Sequence, residues 1–279
     1  MSQFDYGKKS PRRRFFGRIE CMKQFIQNRK GQKMAVVIEE SKNQKGLAFM
    51  MHGLGGFKEQ PHIKTIANAF KKKGYTVVRF DTTNTFGESD GKYENATTTN
   101  YYEDLEDVIS WAKSQNWYQE PFCLAGHSLG SLCIVLYTES YPNKVKALAP
   151  ISTVISGKLN LKAPCYSKEK IEEWKKTGWR IERSTTRPYV IKRLPWSHME
   201  DRLKYDILER VDKLTMPVLL IVGEKDNSCP PKHQKILYDK LPKKKELHII
   251  KDAPHTFSKE AHLKEIKDIF LKWINSLDN

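Results

Sequence analysis

Short apolar runs alternate with amphipathic segments along most of this chain. The apolar runs have the length of buried strands and fall at residues 47–51, 76–80, 122–125, 145–149, 216–223 and 246–250. Other segments carry apolar residues three and four positions apart, as helices do, and fall at residues 63–73, 101–114 and 129–141. The alternation predicts an α/β fold, with a mostly parallel central sheet and helices on both of its faces.

The pattern is less regular at the start of the chain and after residue 152. Residues 15–26 and 34–38 predict two leading strands, which we expect to form a hairpin at the sheet edge. Between residues 153 and 215 the alternation stops, and helices are predicted only at 171–176 and 202–208. The predicted division of the chain is a basic tail at 1–13, the first part of the core at 14–155, a lid insertion at 156–212 and the second part of the core at 213–279.

A glycine-flanked serine follows the apolar run at 122–125. The sequence Gly126-His127-Ser128-Leu129-Gly130 joins that run directly to the helix predicted at 129–141. Such a strand–turn–helix holds a serine in a strained turn, and the glycines let the backbones pass closely. Because a hydroxyl is a weak nucleophile alone, Ser128 needs a general base and a group that orients this base.

Two residues downstream fit these roles. Asp226 lies in the loop after the run at 216–223, and His255 lies in the loop after the run at 246–250. The order Ser, Asp, His and the position of each residue just past a strand are typical of one arrangement of the catalytic triad. Taken singly, Asp226 could be a turn residue and His255 a solvated side chain. Glu224 and Asp252 are rival candidates for the acid.

Backbone N–H donors for an oxyanion are predicted at two places. The run at 47–51 continues into His52-Gly53-Leu54-Gly55-Gly56, which has the form of a loop that supplies one donor. We assign the donors to the N–H groups of Leu54 and Leu129, the latter following the candidate nucleophile. The alternatives are a plain glycine-rich turn and a phosphate cradle, although neither common phosphate motif occurs here.

These motifs together resemble the α/β-hydrolase family over nearly the whole chain. The residues that carry the resemblance are GHSLG, HGLGG, GEKDNSCP and APHTF. Residues 80–95, and the run onward through Leu105, are similar to bacterial cinnamoyl and feruloyl esterases. Two features depart from those relatives: the spacing from Asp81 to Ser89 is one residue longer, and Ser131 replaces a second glycine.

The resemblance implies the α/β-hydrolase fold and a serine carboxylesterase that forms an acyl-enzyme on Ser128, with no cofactor and no metal. The expected substrate is a small ester with an aromatic acyl group, such as a hydroxycinnamate, or a short acyl group. Thioesterase, monoacylglycerol lipase and peptidase activities on the same triad are alternatives, because a fold does not choose among them. A ligand-binding protein without activity is a further alternative.

Three tryptophans of the predicted lid, Trp174, Trp179 and Trp196, are candidate substrate-binding residues. An insertion at this point of the fold covers the nucleophile, so these rings could line an acyl or aromatic pocket. They could equally hold the lid itself together.

The chain is basic, with 49 Lys and Arg against 33 Asp and Glu and a net charge of +16. Residues 1–33 contribute +8 of this charge. A basic tail can bind nucleic acid or an anionic surface, but it is more often a solvated arm, and no aromatic–basic motif or zinc spacing supports a nucleic-acid partner. The sequence does not predict an oligomeric state.

Five cysteines lack the spacing of a disulfide framework, which predicts reduced thiols. No apolar run has the length of a signal-peptide core or of a membrane span. From these two observations we expect a cytoplasmic protein.

Overall fold

The computed structural model describes residues 20–184, 189–242 and 244–277. The predicted tail at 1–13 and the first residues of the first predicted strand, 15–19, lie outside these ranges. Eight strands form one sheet, and in chain order they are β1 (Glu20–Gln27), β2 (Lys33–Glu40), β3 (Gly46–Met51), β4 (Tyr75–Phe80), β5 (Phe122–His127), β6 (Val145–Ile151), β9 (Val218–Gly223) and β10 (Lys245–Ile250).

The order of strands across the sheet is β1-β2-β4-β3-β5-β6-β9-β10. All neighbours from β4 to β10 pair in parallel, whereas β1 and β2 form an antiparallel hairpin and β2 pairs antiparallel with β4. The mostly parallel sheet and the leading hairpin at its edge agree with the sequence prediction. Since parallel neighbours place their carboxyl ends at one edge, the loops after β3, β5, β9 and β10 meet there.

Helices cover both faces of this sheet. Side chains alternate along each strand, so Phe49 points into one core while Met50 points into the other. One face packs against α1 (Pro61–Lys72) and α8 (Glu260–Ser276), and the other packs against α2 (Thr98–Ala112), α3 (Leu129–Ser140) and α7 (Pro231–Lys240). Both faces are therefore buried, as a parallel sheet requires.

The β6–β9 connection, residues 152–217, is built apart from the central sheet. Its elements are α4 (Gly157–Asn160), α5 (Lys168–Thr177), β7 (Trp179–Arg183), β8 (Ile191–Pro195) and α6 (Trp196–Arg202). Strands β7 and β8 pair as an antiparallel hairpin. A small core of its own contains Trp174, Leu194 and Met199.

The helix predicted at 202–208 is wrong, because α6 ends where the prediction begins. The carboxylate of Asp206 accepts a hydrogen bond from the N–H of Leu208 at 2.9 Å, a local bond that favours a turn over a helix. The segment instead closes the connection on itself: Ser156 pairs with Asp206 in a short antiparallel bridge, and the N–H of Gly157 donates to the carbonyl of Tyr205 at 3.1 Å. The residues at 156–157 and 205–206 are thus held side by side, and the segment between them is closed at its base.

In the described part of the chain, no helix is both long enough and apolar enough to cross a bilayer. None of the five cysteines, all of which lie in the described ranges, forms a disulfide. Cys123, Cys133 and Cys229 are buried, whereas Cys21 is exposed.

Glu139 is a buried acid in the last turn of α3, and its Oε1 atom has no hydrogen-bond partner among the described residues. Burial raises the pKa of Glu139 to about 8, against an ordinary value of 4.5. Between these two values the unfolded chain releases a proton that the folded protein retains, so stability falls as the pH rises. We therefore expect Glu139→Gln to increase the free energy of unfolding near pH 8, by on the order of 1 kcal/mol or more, and to have little effect near pH 4.5.

Chemical denaturation at the two pH values measures this difference. Glu265→Gln, at an exposed position of α8, is the matched control and should change stability little at either pH. An equal gain from Glu139→Gln at both pH values would contradict the role of ionisation.

Candidate active site

Ser128 occupies the single residue between β5 and α3. Its backbone has φ 57° and ψ −116°, a conformation that non-glycine residues rarely adopt. The flanking glycines are needed for space: a Cβ on Gly126 would lie 2.9 Å from the Gly130 carbonyl carbon, and a Cβ on Gly130 would lie 2.3 Å from the His52 carbonyl oxygen. This turn holds the Ser128 side chain at the carboxyl edge of the sheet.

The loops after β9 and β10 bring Asp226 and His255 to the same place. The Ser128 hydroxyl donates to His255 Nε2 at 3.0 Å, and His255 Nδ1 donates to Asp226 Oδ2 at 2.8 Å. Backbone hydrogen bonds tie the two loops together, because the N–H of Lys225 donates to the carbonyl of Ala253 at 2.9 Å. Residues 127 positions apart in sequence thus form one chain of hydrogen bonds.

Asp226 is held as a carboxylate. Its side chain is fully buried, and its second oxygen accepts from the N–H groups of Ser228 at 2.9 Å and Cys229 at 2.8 Å. Burial alone would raise the pKa of Asp226, but the charge and hydrogen bond of His255 and the bond from Cys229 outweigh it and lower the pKa below its ordinary value. A fixed carboxylate at Nδ1 leaves the lone pair of Nε2 facing the Ser128 hydroxyl, so His255 can accept that proton.

The rival acids make other contacts. Glu224 accepts a hydrogen bond from the N–H of Asp252 at 2.9 Å, and the Asp252 carboxylate pairs with Lys225 at 2.5 Å. Both side chains are exposed. Of the three candidate acids, the structure brings only Asp226 to His255.

His127 makes a contact that the sequence did not predict. Its Nε2 donates to the carbonyl oxygen of His255 at 2.8 Å, and the two rings lie 4.7 Å apart. The ring of His62 lies 4.4 Å from that of His127. Burial and the neighbouring histidines lower the pKa of His127 well below its ordinary value, and burial, His255 and His52 lower that of His62 to about 3. His127 is therefore a neutral donor that fixes the backbone of His255. Its position is the variable one of G-x-S-x-G, so the motif carries no signal for it.

The loop after β3 lies directly against this serine turn. A Cβ on Gly53 would lie 2.9 Å from the Ser128 Cβ. The loop is held in shape by the N–H of Gly55, which donates to the Tyr101 hydroxyl at 3.1 Å. The predicted donors are the N–H groups of Leu54 and Leu129, and among the described residues neither has an acceptor. The Leu54 side chain packs on the core of the β6–β9 connection.

The three tryptophans lie in the β6–β9 connection. Trp174 is buried, donates from Nε1 to the Leu194 carbonyl at 3.0 Å and packs edge-on against Trp196 at 5.3 Å. Trp179 is 37% exposed and carries the Arg193 guanidinium over its ring at 4.8 Å. A cavity of about 540 Å³ lies between α5 and β7 and includes Trp174 and Trp179 in its lining. The rings of Trp174 and Trp196 contact Tyr166, Lys175 and Arg180 of the same connection, and Leu54 and Tyr93 pack against this cluster from outside the connection.

Comparisons with known proteins agree with this architecture. The family model described as "Serine aminopeptidase, S33" matches residues 42–262. An uncharacterized 31.7 kDa protein of Escherichia coli is 28% identical over 239 residues, covering 75% of this chain and 82% of that protein. The mitochondrial palmitoyl-protein thioesterase ABHD10 of Bos taurus is 26% identical over 162 residues, covering 57% of this chain and 50% of that protein.

Solved structures show the same fold. Est1E from Butyrivibrio proteoclasticus, in a complex with ferulic acid, has a TM-score of 0.76 and 21% identity, covering 91% of this chain and 98% of Est1E. Mouse α/β hydrolase domain-containing protein 10 has a TM-score of 0.76 and 20% identity, and the match covers 92% of this chain and 99% of the mouse protein. The sheet, its helices and the serine turn at the carboxyl edge define an α/β hydrolase. Because the family model spans most of the chain, the protein belongs to the serine aminopeptidase S33 family of these hydrolases.

Proposed function

We propose that the protein is a serine esterase that cleaves carboxylic esters through an acyl-enzyme. The observation that carries this proposal is the hydrogen-bonded chain from Ser128 through His255 to Asp226, beside two N–H groups that have no other acceptor among the described residues. Each group needed for acyl transfer is thereby assigned to a residue.

In this mechanism the Ser128 oxygen attacks the acyl carbon while His255 takes its proton. The Leu54 and Leu129 N–H groups stabilise the negative charge on the carbonyl oxygen, where loss of one donor typically costs about 3–4 kcal/mol. His255 then protonates the leaving alcohol, and a water molecule activated by His255 hydrolyses the acyl-enzyme. Asp226 holds the imidazole tautomer throughout.

The β6–β9 connection is the proposed lid. Leu54 supports this role, because its N–H is a proposed oxyanion donor while its side chain packs on the core of the connection formed around Trp174. Because this contact places the lid beside a proposed oxyanion donor, we infer that the lid selects the acyl group of the substrate. Trp174, Trp179 and Trp196 are candidates for holding an aromatic or short acyl group. Est1E, whose structure contains ferulic acid, supports an aromatic acyl group.

A thioester is the second candidate substrate. The relative from Bos taurus is named as a palmitoyl-protein thioesterase, and the same acyl-enzyme chemistry serves both classes of acyl donor. The ester proposal and the thioester alternative share Ser128 and differ in the leaving group.

A substrate panel with a covalent label tests the proposal. We expect a fluorophosphonate to label the protein at Ser128 and p-nitrophenyl esters with short and hydroxycinnamoyl acyl groups to be hydrolysed faster than the matching thioesters and anilides. If the protein is labelled but hydrolyses thioesters faster than esters, the proposed substrate is a thioester instead of an ester. Absence of both labelling and turnover would contradict a hydrolytic function and favour a ligand-binding protein.

A further inference from the structure

Arg202, at the end of α6, is a buried cation held by neutral groups. It is 4% exposed, and one terminal nitrogen donates to Asn160 Oδ1 at 2.7 Å while the other donates to His198 Nε2 at 2.5 Å. His198 Nδ1 donates to the carbonyl of Ala96 at 2.7 Å, which leaves Nε2 as an acceptor. Burial and the Arg202 charge lower the pKa of His198 well below its ordinary value, so this imidazole is neutral.

The charge of Arg202 has no counter-charge within the described residues. No Asp or Glu there forms an ion pair with it, and its buried Nε atom has no hydrogen-bond partner. The adjacent Asp201 is already occupied, since it accepts from Thr99 and pairs with Lys204. A buried guanidinium without a carboxylate is costly, and proteins normally pair such a charge. This arrangement leaves the charge without a counter-charge and the Nε donor without an acceptor among the described residues.

Hydrogen bonds connect Arg202 to the loop that carries Asp226. Asn160, which accepts from Arg202, donates from Nδ2 to the carbonyl of Ser228 at 3.1 Å, and the N–H of Ser228 donates to Asp226. Three hydrogen bonds in series thus join the Arg202 guanidinium to the loop that holds Asp226.

We propose that Arg202 binds a carboxylate carried by the substrate, so that the preferred esters are anionic. The carboxylate would supply the missing counter-charge and accept from Nε, and hydrogen bonds between charged groups are stronger than those between neutral groups. This inference rests on the proposed function, since it names the class of ester for the same site. The carboxylate can belong to the acyl part or to the leaving alcohol, and the test separates the two.

Two matched pairs of esters provide the test. In the first pair, mono-p-nitrophenyl glutarate carries a carboxylate on the acyl part, and p-nitrophenyl valerate is its neutral counterpart. In the second pair, 4-(butyryloxy)benzoate carries a carboxylate on the leaving alcohol, and its methyl ester is the neutral counterpart. We expect the wild-type protein to prefer the anionic member of one pair by about tenfold or more in kcat/KM, which corresponds to about 1.4 kcal/mol. The preferred pair identifies the side that Arg202 binds.

Substitution of the arginine then measures its share of this preference. Arg202→Met should lower the ratio of anionic to neutral kcat/KM about tenfold. Arg202→Lys should keep part of the preference for the anionic ester, because lysine keeps the charge but lacks the planar set of guanidinium N–H donors. Arg193→Met is the matched control, because it removes the same charge from an exposed position of the same connection and should leave the ratio unchanged. A ratio near one in the wild type, or an unchanged ratio in Arg202→Met, overturns the proposal.

An inhibition experiment on the wild-type protein covers the case in which Arg202→Met does not fold. Glutarate or 4-hydroxybenzoate should inhibit hydrolysis of the neutral esters competitively, more weakly at high salt, whereas the corresponding amides should not. Equal inhibition by acids and amides overturns the proposal. If none of the four esters is hydrolysed, the proposed function fails. A rise in Tm with glutarate that is smaller in Arg202→Lys then still tests the binding site separately, and no rise in the wild-type protein overturns the proposal.

Discussion

Replacing Ser128 with alanine will reduce ester hydrolysis by at least about 1000-fold, because the variant has no oxygen to form the acyl-enzyme. The fold should survive, since the substitution leaves the backbone turn and the flanking glycines in place. Turnover of p-nitrophenyl acetate or butyrate measures the loss, fluorophosphonate labelling reports the nucleophile directly, and the Tm reports the fold.

Ser114→Ala is a suitable control, because this exposed serine lies just after α2 and its hydroxyl donates to the carbonyl of Trp111. It should keep both turnover and labelling. Residual hydrolysis near the wild-type rate in Ser128→Ala, in protein purified away from host esterases, would show that another group attacks the ester.

The second large effect is expected from Asp226→Asn, which keeps the size of the side chain and removes its charge. The amide oxygen can still accept from Ser228 and Cys229, so the amide N–H₂ then faces His255. The amide N–H₂ donates to Nδ1 of His255, so the imidazole carries its proton on Nε2. In this tautomer Nε2 has no lone pair to accept the proton of Ser128. We expect kcat at neutral pH to fall by about three to four orders of magnitude, with a small change in KM.

The rival acids supply the controls for this prediction. Asp252→Asn and Glu224→Gln each remove a carboxylate from the same pair of loops, and neither carboxylate contacts His255. Each should retain activity within about a factor of two to three. A loss in Asp252→Asn equal to that in Asp226→Asn would transfer the role of the acid to Asp252.

The central sheet could be predicted because its strands obey simple rules. In β3 and β5 every residue is buried, so each appears in the sequence as an uninterrupted apolar run ended by a glycine motif. The order and spacing of Ser128, Asp226 and His255 also follow from these runs, since each residue lies where a parallel strand ends. Their distances required the structure, because the three loops meet only after the sheet has formed.

The β6–β9 connection could not be predicted in the same way. Hairpin β7–β8 exposes Ile181 and Ile191, so its apolar residues do not mark a buried face. The environment of Arg202 depends on contacts with Asn160 and His198, which come from two different helices. Among the many Lys and Arg residues of this segment, nothing in the sequence distinguishes the one that is buried without a carboxylate.

The pairing of Ser156 with Asp206 gives the segment between them the geometry of an insertion. The chain leaves the sheet at Ile151 and returns at Val218, and the two paired residues lie inside this connection. The segment between them therefore begins and ends at one point. An insertion of this geometry can change in length or composition while the chain still enters and leaves it at the same place.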